Sequence, residues 1–232
     1  MSEVTIRAAD GGSFSGYLAT PKSGKGPGIL VIQEIFGVNA VMRGITDGLA
    51  AQGYTALCPD LFWRQEPGIQ ITDKTEAEWA RAFQLYQGFD EAKGVADLKA
   101  TLAHLRALPA CTGKVGTVGY CLGGKLAYLM ATRSDADCNV GYYGVGIEKA
   151  LDEAGKIGRP LMLHIAEQDK FCPPEAQAQV KTALGKNPKV TIHSYPGVDH
   201  AFARAGGEHY DAAAAETANK RTSAFCMQHL GA

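Results

Sequence analysis

Apolar runs bounded by glycine or proline alternate with longer stretches of helical period along most of the chain. Residues 4–8 and 14–20 flank Asp10-Gly11-Gly12, a strong turn signal, and predict an N-terminal hairpin. GILVIQ (28–33) is apolar almost throughout, as expected of a strand buried on both faces. A helix over 40–51 follows, closed by Gly53, and TALCPDL (55–61) is a second such strand, stopping at Pro59. Residues 75–108 carry two helices broken near Gly88. KVGTVGY (114–120) is a strand that leads into a helix over 121–131. CNVGYYG (138–144) is a short strand, and RPLMLHIAEQD (159–169) is a strand that ends in a polar loop. A helix over 174–184 has prolines at its start, where a missing N–H does little harm. VTIHSYPG (190–197) is the last strand, and a helix over 208–230 closes the chain.

This alternation predicts an α/β fold: a mostly parallel central sheet with helices on both faces. No repeat, low-complexity tract or linker interrupts it, so residues 1–232 read as one domain. In such sheets functional residues gather beyond the carboxyl ends of the strands.

Composition narrows the function. A net charge of -1 gives no reason to expect a nucleic-acid partner or an anionic membrane surface. No run of eighteen apolar residues occurs, so no transmembrane helix is expected. The start, MSEVTIRAADGG, lacks the basic-then-apolar order of a signal peptide, so a cytoplasmic protein is expected. The six cysteines are scattered, with no zinc spacing, and are expected as free thiols.

One cysteine stands apart. Gly119-Tyr120-Cys121-Leu122-Gly123 fits the strand–turn–helix elbow that presents a nucleophile, with cysteine in the serine position. Glycines on either side let strand and helix approach closely. Cys121 then sits at a helix N-terminus, where the dipole favours thiolate, and the Leu122 N–H is available to an oxyanion. The competing reading is an inert thiol in a glycine turn. A cysteine nucleophile needs a base and an orienting acid, in chain order acid then histidine. Asp169 and His200 meet that order, each just after a strand. Glu167 is an alternative acid, whereas Asp199 reads as a turn residue. His164 and His193 lie within strands and read as core or surface groups. The second oxyanion donor is expected in the loop after residues 28–33, with the Ile35 N–H as its natural source. Glu34 beside it is unusual, because a carboxylate there repels developing negative charge.

QEIFGVN, CPDLFWRQEPG, GKVGTVGYCLGG, VGYYGVG and GVDHAFAR occur in that order, and with them the chain resembles the dienelactone hydrolase family of α/β-hydrolases. The resemblance implies hydrolysis of a small enol lactone such as dienelactone to maleylacetate, without a cofactor. It implies Cys121 as nucleophile, His200 as base, Asp169 as its partner, and Glu34 as the carboxylate contacting the resting thiol. Leu122 and Ile35 take the oxyanion roles. Arg204 matches a substrate arginine, and Phe36 and Tyr142 fall among the substrate-binding positions. The family's other substrate arginine aligns with Trp79. Arg81, two residues further and about 200° around a helix, is the remaining candidate for that substrate-binding cation. The expected partner is a small, carboxylate-bearing lactone or ester, bound by a monomer. A broader carboxylesterase or thioesterase of the same fold and a non-catalytic ligand-binding protein are the alternatives.

Overall fold

The computed structural model describes residues 2–231. Among the described residues, eight strands form a mostly parallel arrangement. The chain divides into two compact units, one up to Val115 and one from Gly116.

The first unit holds β1 (Ser2–Arg7), β2 (Ser13–Ala19), β3 (Gly26–Ile32) and β4 (Thr55–Pro59), with α1 (Ala40–Ala51), α2 (Glu76–Gln87) and α3 (Glu91–Ala107). The hairpin forms as the pattern predicts, with Ser2 opposite Leu18 and Arg7 opposite Ser13, and Gly11 in its turn at φ 95°. β2 pairs antiparallel with β4, and β4 parallel with β3. Every residue of β3 is buried, which explains its unbroken apolar run. Side-chain caps start each helix. Asn39 accepts the Met42 N–H, Thr75 that of Glu78 and Asp90 that of Lys93, each satisfying one orphan donor. α2 and α3 separate at Gly88, where a β-carbon would come within 2.5 Å of the Gln65 amide oxygen.

The second unit continues from β5 (Cys111–Tyr120) into α4 (Leu122–Arg133), β6 (Asn139–Tyr142), a 3₁₀ segment (Ile147–Lys156), β7 (Leu161–Ala166), α5 (Pro174–Leu184), β8 (Val190–Tyr195) and α6 (Ala212–Leu230). β5 to β8 are all parallel, with Tyr120 opposite Tyr142, Tyr142 opposite His164, and His164 opposite His193. α4 packs on β6 and β7, and α6 on β7. α6 begins at Ala212 rather than at 208, because Asp211 is its cap and accepts the Ala214 N–H at 2.8 Å. Parallel pairing brings the carboxyl ends of β5 to β8 to one edge. The loops leaving that edge carry Cys121, Tyr143, Asp169 and His200. Among the described residues, no helix is long and apolar enough to cross a membrane.

Candidate active site

Cys121 links β5 to α4 at φ 55° and ψ -114°, outside the regions L-residues favour. The turn is sharp because its neighbours are glycine. A β-carbon on Gly119 would lie 1.9 Å from the Gly123 carbonyl oxygen, and one on Gly124 2.4 Å from that of Tyr142. Cys121 donates its N–H to the Tyr142 carbonyl at 3.1 Å and accepts the Gly124 N–H at 2.9 Å. Leu122 is the first residue of α4, so the helix offers its N–H no carbonyl.

His200 sits in the loop after β8, 4% exposed. Its Nδ1 lies 2.8 Å from Asp169 Oδ2, and Cys121 is a second hydrogen-bond partner of the ring. Asp169, equally buried, accepts the Phe171 N–H on Oδ1 at 2.8 Å, so both carboxylate oxygens are engaged. Burial opposes charge on the imidazole, but Cys121 by charge and hydrogen bond, and Asp169 likewise, outweigh it and raise His200 to about 10. An imidazole so placed can take the thiol proton. Glu167, the alternative acid, is exposed, and Asp199 instead accepts the His200 N–H at 2.6 Å and the Lys170 N–H at 3.3 Å.

Backbone strain concentrates here. Among the described residues, the non-glycine positions with positive φ are Cys121, Tyr143 (37°) and Ala201 (64°). Cys121 is the elbow, Tyr143 packs its ring 5.1 Å from that of His200, and Ala201 follows His200. Such conformations persist where the surroundings over-determine them, which is typical of functional sites.

Two other cysteines are held as thiols. Burial, then the charge of Asp169, pushes Cys172 up to about 12, and burial drives Cys58 higher still. His164 is buried, with Nδ1 2.8 Å from the Tyr195 hydroxyl and Nε2 2.9 Å from Thr222 Oγ1. Burial, then the charges of His193 and Arg221, lowers it to about 3, so it is a neutral core group.

Two expected substrate contacts need correction. Tyr142 lies within β6, 1% exposed, with its hydroxyl 2.6 Å from Thr222 Oγ1 and donating to Asn219 Oδ1 at 3.0 Å. Its phenol is therefore a core group. The tyrosine beside His200 is Tyr143, one residue further, beyond the strand end, and the rule of strand carboxyl ends points to it. Phe171, 46% exposed with its ring 4.9 Å from that of His200, was also missed, because nothing local distinguishes a loop phenylalanine. Arg81 pairs with the Glu66 carboxylate and donates to Gln84 Oε1, which commits its guanidinium within the first unit. Arg204 is 7% exposed in the turn after His200.

In the first unit, Glu34, Ile35 and Phe36 are buried in the loop after β3. The fully buried Gln33 donates to the Glu34 carbonyl and accepts the Leu61 N–H, pinning this loop to the one after β4. Gly37, at φ 75°, is required because a β-carbon would lie 1.9 Å from the Ile69 carbonyl oxygen. Phe36 packs edge-on against Trp79 at 5.0 Å, and Trp79 stacks on Phe83. An aromatic group thus stands where the resemblance places an arginine. The described residues contain no cluster suited to a metal ion.

Known proteins match over the whole chain. A profile of the dienelactone hydrolase family matches residues 14–230. A protein of Azospirillum brasilense is 55% identical over 235 residues, covering 100% of both chains. The carboxymethylenebutenolidase of Pseudomonas sp. strain P51 is 43% identical over 219 residues, 94% of this chain and 92% of its own. In fold, a solved structure from Klebsiella pneumoniae superposes with TM-score 0.84 at 24% identity, covering 98% of this chain and 100% of the other.

Proposed function

The chain belongs to the dienelactone hydrolase family, and from that premise we propose that it opens a small enol lactone, such as dienelactone, by cysteine nucleophilic catalysis. The reading is carried by one observation: a cysteine held at φ 55° on a helix N-terminus and hydrogen-bonded to a histidine that Asp169 holds from behind. His200 takes the Cys121 proton, and the thiolate attacks the lactone carbonyl. The N–H groups of Leu122 and Ile35 receive the oxyanion, an effect worth about 3–4 kcal/mol per donor. Collapse breaks the ring C–O bond, expels an enolate that takes the proton back from His200, and leaves a thioester on Cys121. Water that gives its proton to His200 hydrolyses the thioester. By the family resemblance, Glu34 is assigned the part of helping to accept the thiol proton.

The enolate sets the substrate class. Thiolate leaves more readily than an alkoxide, so adducts of alkyl esters revert, whereas an enolate competes as leaving group. Simple alkyl esters should therefore be poor substrates. Arg204 is assigned to the substrate carboxylate. Arg204→Ala should lower kcat/KM on dienelactone at least tenfold more than on a neutral aryl ester, and equal losses on both would make the arginine structural. Capture of Arg81 by Glu66 and the Phe36–Trp79–Phe83 cluster favour a second reading, a broader carboxylesterase. That reading gains if neutral aryl esters turn over as fast as the lactone.

A further inference from the structure

The acid of the candidate triad rides on a seven-residue loop, Ala166 to Cys172, whose two ends converge on one buried side chain. Gln177, on the first turns of α5 and 4% exposed, donates from Nε2 to the Cys172 carbonyl at 2.8 Å, to that of Ala166 at 3.1 Å and to that of Glu167 at 3.3 Å. Three carbonyl oxygens around one terminal atom fix the amide's orientation chemically, since only its NH₂ end can face them. Two of these acceptors stand before Asp169 and one after it. The loop closes on itself as well, the Asp169 N–H donating to the Ala166 carbonyl at 3.3 Å and the Cys172 N–H to that of Asp169 at 3.2 Å. It is also stitched to the histidine loop. The Gln168 N–H donates to the Val198 carbonyl at 3.0 Å, and the Lys170 N–H to Asp199 Oδ1.

We infer that Gln177 is a positioning residue for the reaction: its amide clamps both ends of the Asp169 loop to α5 and so sets the direction from which Asp169 holds His200. This rests on the triad reading above. Gln177 touches neither substrate nor thiol, and it acts through the carboxylate. The start of α5 offers no substitute donor. α5 opens on Pro173 and Pro174, whose nitrogens carry no hydrogen, and no side chain caps the helix. Without the clamp the Ala166, Glu167 and Cys172 carbonyls lose a shared donor. The loop relaxes, and Asp169 swings from the Nδ1 proton. Misplacement by about 1 Å at such a site can cost on the order of a hundredfold in rate.

The test compares wild type with Gln177→Met, of equal length but without donors, and Gln177→Glu, which turns a carboxylate toward the three carbonyls. Cys121→Ala and Asp169→Asn are the controls. The readouts are kcat and KM on dienelactone and the imidazole titration of His200 by ¹⁵N NMR. The clamp predicts kcat lower by about tenfold or more, KM within about twofold, and a His200 titration moved to lower pH, because the imidazolium loses part of its carboxylate partner. A residue that only stabilises the fold would lower the melting temperature and leave both kcat and the titration of the folded enzyme unchanged, which would overturn the inference. If Gln177→Met does not fold, the same readouts on Gln177→Glu decide. Wild-type rates in Cys121→Ala or Asp169→Asn would overturn the triad reading instead, so the two failures are distinguishable.

Discussion

Cys121, Tyr143 and Ala201 each hold a backbone conformation that costs of order 1–3 kcal/mol, and all three border one histidine. Only the first of these was legible in the sequence. The glycines around Cys121 announce a tight elbow, because their spacing has a steric reason that can be read locally. Tyr143 and Ala201 carry no such mark, since their conformations are imposed by strands and loops distant in sequence. His164 shows the reverse case. Its place inside a strand suggests a satisfied group, and the structure supplies the partners, Tyr195 and Thr222. A prediction follows from its titration. Unfolded, His164 takes a proton near 6.5; folded, only near 3. Its contribution to stability is therefore complete above about pH 6.5 and is lost as pH falls toward 3. One proton changes the slope of unfolding free energy by about 1.4 kcal/mol per pH unit. Denaturation of His164→Gln between pH 4 and 6 should show a slope shallower by up to that amount, although its absolute stability is lower throughout. An unchanged slope would contradict the assignment.

Strands and helices were mostly legible because each carries its own period. β3 reads as a strand because its run is apolar almost throughout, α1 ends just before its glycine signal and α5 starts at its prolines. The 3₁₀ segment Ile147–Lys156 was not predicted. A kink at Ala150 breaks its period, and its anchors are non-local: the Tyr128 hydroxyl donates to the Ala150 carbonyl, and Arg133 grips Glu153. Asp97 was equally hidden. On a helix with little amphipathic pattern an aspartate reads as surface, yet it is 1% exposed and accepts from Arg64 on both oxygens and from the Trp63 indole. Arg64 also bonds Asp10 in the hairpin turn, so one guanidinium ties α3 to the N-terminal strands. Arg64→Ala strands a buried carboxylate and should cost about 3 kcal/mol or more in urea denaturation. Adding Asp97→Asn should recover part of that loss. A cost under about 1 kcal/mol for Arg64→Ala would show that the pair holds nothing together.

At the scale of the whole chain, the motifs of the candidate site appear in sequence order just beyond successive strand ends, which is why a linear reading reaches them. Glu34 follows β3, Cys121 follows β5, Asp169 follows β7 and His200 follows β8. What such a reading does not reach is how neighbours commit a side chain. Arg81 is an available cation in the sequence and a partner of Glu66 in the structure, and Gln177 is an ordinary helix residue until three carbonyls are found around its amide. The account rests on Cys121 as the nucleophile. The direct measurement is turnover of dienelactone by wild type and by Cys121→Ala, with folding of the variant checked by circular dichroism. The account predicts that wild type opens the lactone and that the folded variant is slower by roughly a thousandfold or more. Turnover by the folded variant within tenfold of wild type would contradict it.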